Sequence, residues 1–196
     1  MLDVTQLATY LAVMSITPGP NNVMVTASGA TFGYRATVPH ILGVGIGAAL
    51  QTALVCVGLG EIFERWPLLH TAMTWVGAAY LMWMAWRLVG AGAVSGKVAA
   101  RPITALEAVA FQAVNPKAWM IAMTTAAVFL PRHGSVATAA VLVALLFLLI
   151  NVPCVSAWAL FGSGMRRLLS LPGYRRVFNV TMSALLVMTA VMGVQS

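Results

Sequence analysis

Charge is scarce in this sequence, and negative charge most of all. Only 8% of the 196 residues are charged, and four of them are Asp or Glu. A soluble domain is about a quarter charged and about 45–50% apolar. Here 61% of residues are hydrophobic and the mean hydropathy is +0.92, which excludes an ordinary soluble domain. Cysteine is equally sparse: Cys56 and Cys154 both fall inside apolar runs and cannot make a disulfide framework. The three histidines, His40, His70 and His133, lack a metal-ligand spacing. Met1 to Gln6 carries Asp3 and no positive region, so no secretory signal is expected there. The net charge of +7 comes from Lys and Arg scattered singly or in pairs, not gathered into the stripe that nucleic acid requires.

What the chain does have is long apolar runs. Six are long enough to span a bilayer: Leu7–Ala30, Val38–Gly60, Leu68–Leu88, Ala105–Leu130, Val136–Phe161 and Val177–Val194. The expected fold is an all-α integral membrane protein, one transmembrane domain over residues 1–196 with six transmembrane helices. A first segment that failed to insert as its own span would leave five crossings. The longest non-apolar stretch, Gly90 to Pro102, is the expected mobile loop. The odd-numbered loops hold Arg35, Arg87, Lys97, Arg101, Arg166, Arg167, Arg175 and Arg176, against Arg65 and Arg132 on the other side. Positive residues favour the cytoplasmic face, which places both termini outside. Trp83, Trp86 and Trp158 fit interfacial anchors.

Two of these runs contain residues that a continuous helix rejects. Ser15-Ile-Thr-Pro-Gly-Pro-Asn-Asn22 interrupts the first, and its prolines leave the carbonyls of Met14 and Ile16 without helical partners. Gln112-Ala-Val-Asn-Pro-Lys117 interrupts the fourth, where Pro116 frees the carbonyl of Gln112. Broken backbone persists at membrane depth only when buried in protein or lining a polar cavity. The breaks fall at corresponding places in two three-helix halves, residues 1–90 and 103–196. An odd number of spans per half makes the halves inverted repeats, and paired broken helices in such repeats point to a midplane binding site. Pro18 and Pro116 are 98 residues apart, as are Cys56 and Cys154, which gives a weak frame for aligning the halves.

The candidate substrate-binding residues are Pro18, Gly19, Pro20, Asn21 and Asn22 at the first break, and Gln112, Asn115, Pro116 and Lys117 at the second, with Asn151 in helix five. Amide side chains both donate and accept, so they suit either capping of a half-helix or the polar groups of an amino acid. Half-helix N-termini present a positive dipole end, suited to a carboxylate. Lys117 is the one charge placed deep in a span, at an insertion cost of roughly 2.5–3.5 kcal/mol. It is read as a partner for a substrate carboxylate or a proton-coupling group, against the plainer reading of a lysine bonded to freed carbonyls. Gln51 and the glycines Gly29, Gly33, Gly43, Gly45 and Gly47 are read as packing contacts. Asp3, Glu61, Glu64 and Glu107 lie near interfaces, so no span holds a deep carboxylate. That disfavours substrates with a cationic side chain and divalent cations, and leaves neutral amino acids.

Thr17-Pro-Gly-Pro-Asn-Asn22, Gly33-Tyr-Arg35, Trp75-Val-Gly-Ala-Ala-Tyr-Leu81 and Asn115-Pro-Lys117 occur in the order found in the lysine-exporter superfamily, which this chain resembles, in particular the branch of homoserine/threonine- and cysteine/O-acetylserine-type exporters. The resemblance implies a secondary exporter of amino acids or close derivatives in the bacterial inner membrane, driven by the proton or membrane potential. It implies no enzymatic activity, no catalytic residue, no cofactor and no metal. The expected partners are a small-molecule amino acid, membrane lipid and a second copy of the chain, with no nucleic acid. Some members carry an aspartate near the position of Asn151, and this departure agrees with a neutral substrate. Two other readings stand beside it: a transmembrane thiol–disulfide carrier, which needs a reactive cysteine pair near the breaks, and a metal-cation exporter of related architecture.

Overall fold

The computed structural model describes residues 3–59, 65, 67–90, 101–131 and 135–195, and every regular element among them is helical. In chain order these are α1 (Val4–Ile16), α2 (Pro20–Phe32), α3 (Tyr34–Leu54), α4 (Pro67–Gly90), α5 (Ala105–Gln112), α6 (Pro116–Thr124), α7 (Val136–Gly164), α8 (Arg166–Leu169) and α9 (Pro172–Gln195). Both α3 and α6 run on into a π-helical turn, Val55–Leu59 and Thr125–Phe129. Glu61, Glu64, Lys97, Arg132 and His133 lie outside the described residues, as does nearly all of the loop expected to be mobile.

Both predicted breaks are present, and local chemistry explains them. α1 stops at Ile16 because Thr17 turns extended (φ −60°, ψ 136°), and Pro20 starts α2 at the first helical position, where its missing N–H has no helical partner to lose. Pro116 does the same for α6 behind an extended Asn115 (φ −85°, ψ 106°). Pro20 and Pro116 thus hold the same first-turn position in their helices, 116 − 20 = 96 residues apart, where the frame drawn from Pro18 has 98.

Among the described residues three helices are long and apolar enough to cross a membrane: Tyr34–Gly58, Val136–Gly164 and Pro172–Met192. Val4–Ile16 is a shorter apolar helix. Their outward faces are apolar too. On α7, Leu142, Leu145 and Leu149 are exposed while Val143, Phe147, Val155 and Ala159 are buried. The buried set also includes Ser15, Asn22, Thr26, Thr37, His40, Gln51, Gln112, Asn115 and Asn151. Apolar outside and polar inside is the pattern of a helical membrane protein, whose surroundings cannot satisfy a polar side chain.

Packing pairs the elements crosswise. The broken α1–α2 packs on α7 and the broken α5–α6 packs on α3; α3 also packs on α7, and α4 on α9. Glycines set the closest approaches. A Cβ at Gly29 would collide with the Ala159 carbonyl, and one at Gly162 with the Thr26 carbonyl, so α2 and α7 meet backbone to backbone. Gly43 and Gly47 do the same for α3 against α5, where added Cβ atoms would lie 2.8 Å from Ala105 Cα and 2.9 Å from Val109 Cα. Gly29, Gly43, Gly45 and Gly47 are thus packing contacts; Gly33 is not, since a Cβ there would meet nothing within 4 Å, and its φ of 86° makes it the turn between α2 and α3. Leu7 and Leu11 of α1 join Ala48, Ile121, Val143 and Phe147 in one apolar cluster, which holds the first half-helix against the second break.

Candidate functional site

The two breaks face each other around one cavity of about 360 Å³, its open mouth included. Gly19, Pro20, Asn21, Asn22, Asn115, Lys117 and Asn151 line it, seven of the ten residues singled out from the sequence. Pro18, Gln112 and Pro116 stand behind this wall. Met14, Ile121, Phe147 and Val155 supply its apolar part.

Freed backbone groups at the first break are satisfied by side chains from far along the chain. Asn22 Nδ2 donates to the carbonyls of Ser15 (3.0 Å) and Thr17 (2.8 Å), closing the end of α1 from within the first turn of α2. Lys117 Nζ reaches across from α6 and donates to the carbonyls of Thr17 (2.6 Å) and Pro18 (3.2 Å). A cation there also meets the negative end of the α1 dipole. Charge-assisted hydrogen bonds are worth about 1.5–3 kcal/mol each, enough to offset the cost of the lysine at this depth. The lysine does bond freed carbonyls, and it also lines the cavity. Gly19 makes room for it, since a Cβ there would lie 2.8 Å from Lys117 Cδ.

Trp158 corrects an expectation. It is not simply a surface anchor: its Nε1 donates to the Ile16 carbonyl (3.1 Å), one of the groups the prolines set free. Trp83 and Trp86 are exposed on α4. Asn151 lies two turns earlier on the same face of α7 and donates through Nδ2 to Ser15 Oγ (3.1 Å).

The second break is tied to the first by an amide pair. Asn21 Nδ2 donates to Gln112 Oε1 (3.0 Å) and Gln112 Nε2 donates to Asn21 Oδ1 (3.2 Å). Gln112 Oε1 also accepts from Asn115 Nδ2 (3.2 Å), so Asn115 holds the N-terminal position of α6 without capping it through its side chain. The Gln112 carbonyl freed by Pro116 accepts the Asn115 N–H (3.1 Å), and with the Gln51 amide of α3 oriented so that both its ends are satisfied, its nitrogen donates to the same carbonyl (3.1 Å) and its oxygen takes the Trp119 indole N–H (3.1 Å). Gly77 of α4 clears space for Pro116, whose Cδ lies 2.8 Å from the position of a Cβ. Gln51 and Trp158 are thus parts of the site that spacing alone ranked as packing and interface residues, and Ser15, the first residue of the break, joins them.

The remaining chemistry lies elsewhere. Neither Cys56 nor Cys154 lines the cavity, and both are free thiols. Among the described residues no three of His, Cys, Asp and Glu come together. Glu107 closes a capping box with Thr104 at the start of α5 and pairs with Arg101 at 2.7 Å on the surface.

Two broken helices thus enclose a polar cavity with one lysine and no carboxylate on its wall. Comparison with known proteins places the protein in a family: the profile of the LysE type translocators matches residues 12–194, and the chain belongs to that family. It is a multi-pass membrane protein. Among its relatives are cysteine/O-acetylserine efflux proteins of Salmonella typhi and of Escherichia coli (strain K12), each 29% identical over 184 residues that make up 93% of either chain. The protein of the same description from Shigella sonnei matches to the same extent. No solved structure matches this chain.

Proposed function

We propose that this protein is a secondary active exporter of small neutral amino acids or their close derivatives, of the cysteine/O-acetylserine or homoserine/threonine kind, in the bacterial inner membrane. The observation that carries the proposal is the cavity between the two breaks, where Lys117 and two half-helix N-termini converge. A substrate carboxylate takes the place of the Thr17 and Pro18 carbonyls at Lys117 Nζ, assisted by the first-turn amides of α2 and α6. The cavity is small, and its wall has no acid to hold a cationic side chain. Relatives described as cysteine/O-acetylserine efflux proteins support the same substrate class.

The transport cycle we propose is alternating access between two inverted three-helix repeats, residues 1–90 and 103–196, within a single six-span domain. Each half runs as a broken helix followed by two long ones. Exchanging the halves maps the packing onto itself: α1–α2 on α7 becomes α5–α6 on α3, while the α3–α7 and α4–α9 pairs are unchanged. Lys117 ties the end of α1 to α6. A carboxylate that takes over the lysine loosens this tie and lets one half rock against the other. The positive-inside count puts the odd loops in the cytoplasm and both termini in the periplasm.

Inverted membrane vesicles carrying the protein test the proposal. Labelled cysteine, O-acetylserine, homoserine, threonine, lysine and arginine are offered with and without an imposed proton gradient. Accumulation of the neutral compounds, dependent on the gradient and absent from control vesicles, is the expected result. Accumulation of lysine or arginine alone overturns the substrate class.

A further inference from the structure

The cavity holds an unmatched pair of atoms. Asn115 Oδ1 and Asn151 Oδ1 are buried acceptors without a hydrogen-bond partner, in residues only 2% and 6% exposed, and both residues line the cavity. Each side chain is held by its other end: Asn115 Nδ2 donates to Gln112 Oε1 (3.2 Å) and Asn151 Nδ2 to Ser15 Oγ (3.1 Å). With the nitrogens committed, the oxygens are left over. A buried carbonyl oxygen without a donor is unfavourable, and such groups in a well-packed structure await a ligand or water. A carboxylate could not satisfy them, because it too only accepts.

We propose that these two amide oxygens form the seat for the substrate's α-ammonium group, a deepening that rests on the exporter reading above. An ammonium has three donors and no acceptor, and two of those donors meet Asn115 Oδ1 and Asn151 Oδ1. The α-carboxylate goes to Lys117 Nζ, and the side chain faces Ile121, Phe147 and Val155. The seat is neutral, so the bound zwitterion adds no net charge and the cavity keeps the single positive charge of Lys117. The site therefore selects an unmodified zwitterion: removing the amine leaves two orphaned oxygens, and acylating it replaces three donors by one.

The test is competition binding to the purified protein in detergent, using matched analogues. L-Cysteine is compared with 3-mercaptopropionate, which lacks the amine, and with cysteamine, which lacks the carboxylate. L-Threonine is compared with 3-hydroxybutyrate and 1-amino-2-propanol in the same way. Wild type is expected to bind the amino acid about 10- to 150-fold more tightly than its deaminated analogue, the effect of losing hydrogen bonds to a charged group. Asn115→Ala and Asn151→Ala each weaken amino acid binding by about 10-fold and leave the deaminated analogue within about twofold. Lys117→Met shows the reverse pattern, sparing the amine and weakening the acid. Asn151→Asp, which keeps the shape, shifts preference toward the amines and guards against an alanine variant that fails to fold.

Equal losses for amino acid and deaminated analogue in the asparagine variants make them merely structural and overturn the seat. Losses confined to the carboxylate-bearing analogues mean that the amide nitrogens face the cavity, and they overturn it as well. Wild type that binds neither amino acid while binding other solutes sinks the exporter reading itself, a distinct result.

Discussion

Replacing Lys117 by methionine removes the charge and keeps most of the volume. Lys117 Nζ donates at 2.6 Å to Thr17 and at 3.2 Å to Pro18. The Thr17 carbonyl keeps a second donor in Asn22 Nδ2 at 2.8 Å, so only the weaker, longer contact is left wholly unmatched. The stability loss is therefore small, about 1–3 kcal/mol for one orphaned carbonyl, and the lysine's own desolvation is relieved at the same time. Substrate binding loses more, because the carboxylate has lost its cation. One charge-assisted hydrogen bond of about 1.5–3 kcal/mol corresponds to about 10- to 150-fold in affinity. The assay is uptake of labelled cysteine and threonine by inverted vesicles, with insertion checked by immunoblot and folding by monodisperse elution. Lys117→Met is expected to transport at a few per cent of wild type with normal insertion. Transport within about twofold of wild type would falsify the role given to the lysine. Gly19→Ala approaches the same point without changing charge: its Cβ would lie 2.8 Å from Lys117 Cδ, so the lysine must move and export is expected to fall.

Three further outcomes are expected. The double variant Cys56→Ala with Cys154→Ala keeps its export activity in the same vesicle assay, since neither residue lines the cavity, whereas loss of thiol-dependent transport would revive the thiol–disulfide carrier. Gln51→Leu leaves the Gln112 carbonyl without its α3 donor and lowers the melting temperature in detergent, by an amount matching roughly 0.6–1.7 kcal/mol, the range of interhelical hydrogen bonds in membranes. An unchanged melt would show that the amide contributes nothing there. Gly162→Ala drives a Cβ into the Thr26 carbonyl, separates α2 from α7 and destabilises by about 1–3 kcal/mol, read in the same melt.

Much of the site was legible because its cause is local. A proline lacks an N–H wherever it sits, so Pro18, Pro20 and Pro116 announce their breaks without any knowledge of neighbours. Scarcity of acids is also a property of the chain alone, and it carries through to a cavity wall without Asp or Glu. The prolines identify which carbonyls are freed but not which side chains receive them. The Ile16 carbonyl is met by Trp158, 142 residues away, and the Thr17 carbonyl by Lys117, 100 residues away. No spacing rule on a single helix reaches that far. Trp158 beside Gly162 has the sequence features of an interfacial anchor, and only the backbone contact of α2 with α7 through Gly29 and Gly162 brings its indole to the break.

The sequence by itself determined that the chain is membrane-embedded, that two of its helices fail at specific residues, and that a lone lysine accompanies the second failure. Each follows from composition or from covalent chemistry within a few residues. Tertiary structure decided that the two failures face one another, that Lys117 bonds across to the first while lining the cavity, and that Asn115 and Asn151 keep an oxygen unmatched there. Those are statements about which groups remain after all others have found partners, and such a remainder exists only once the whole bundle is packed.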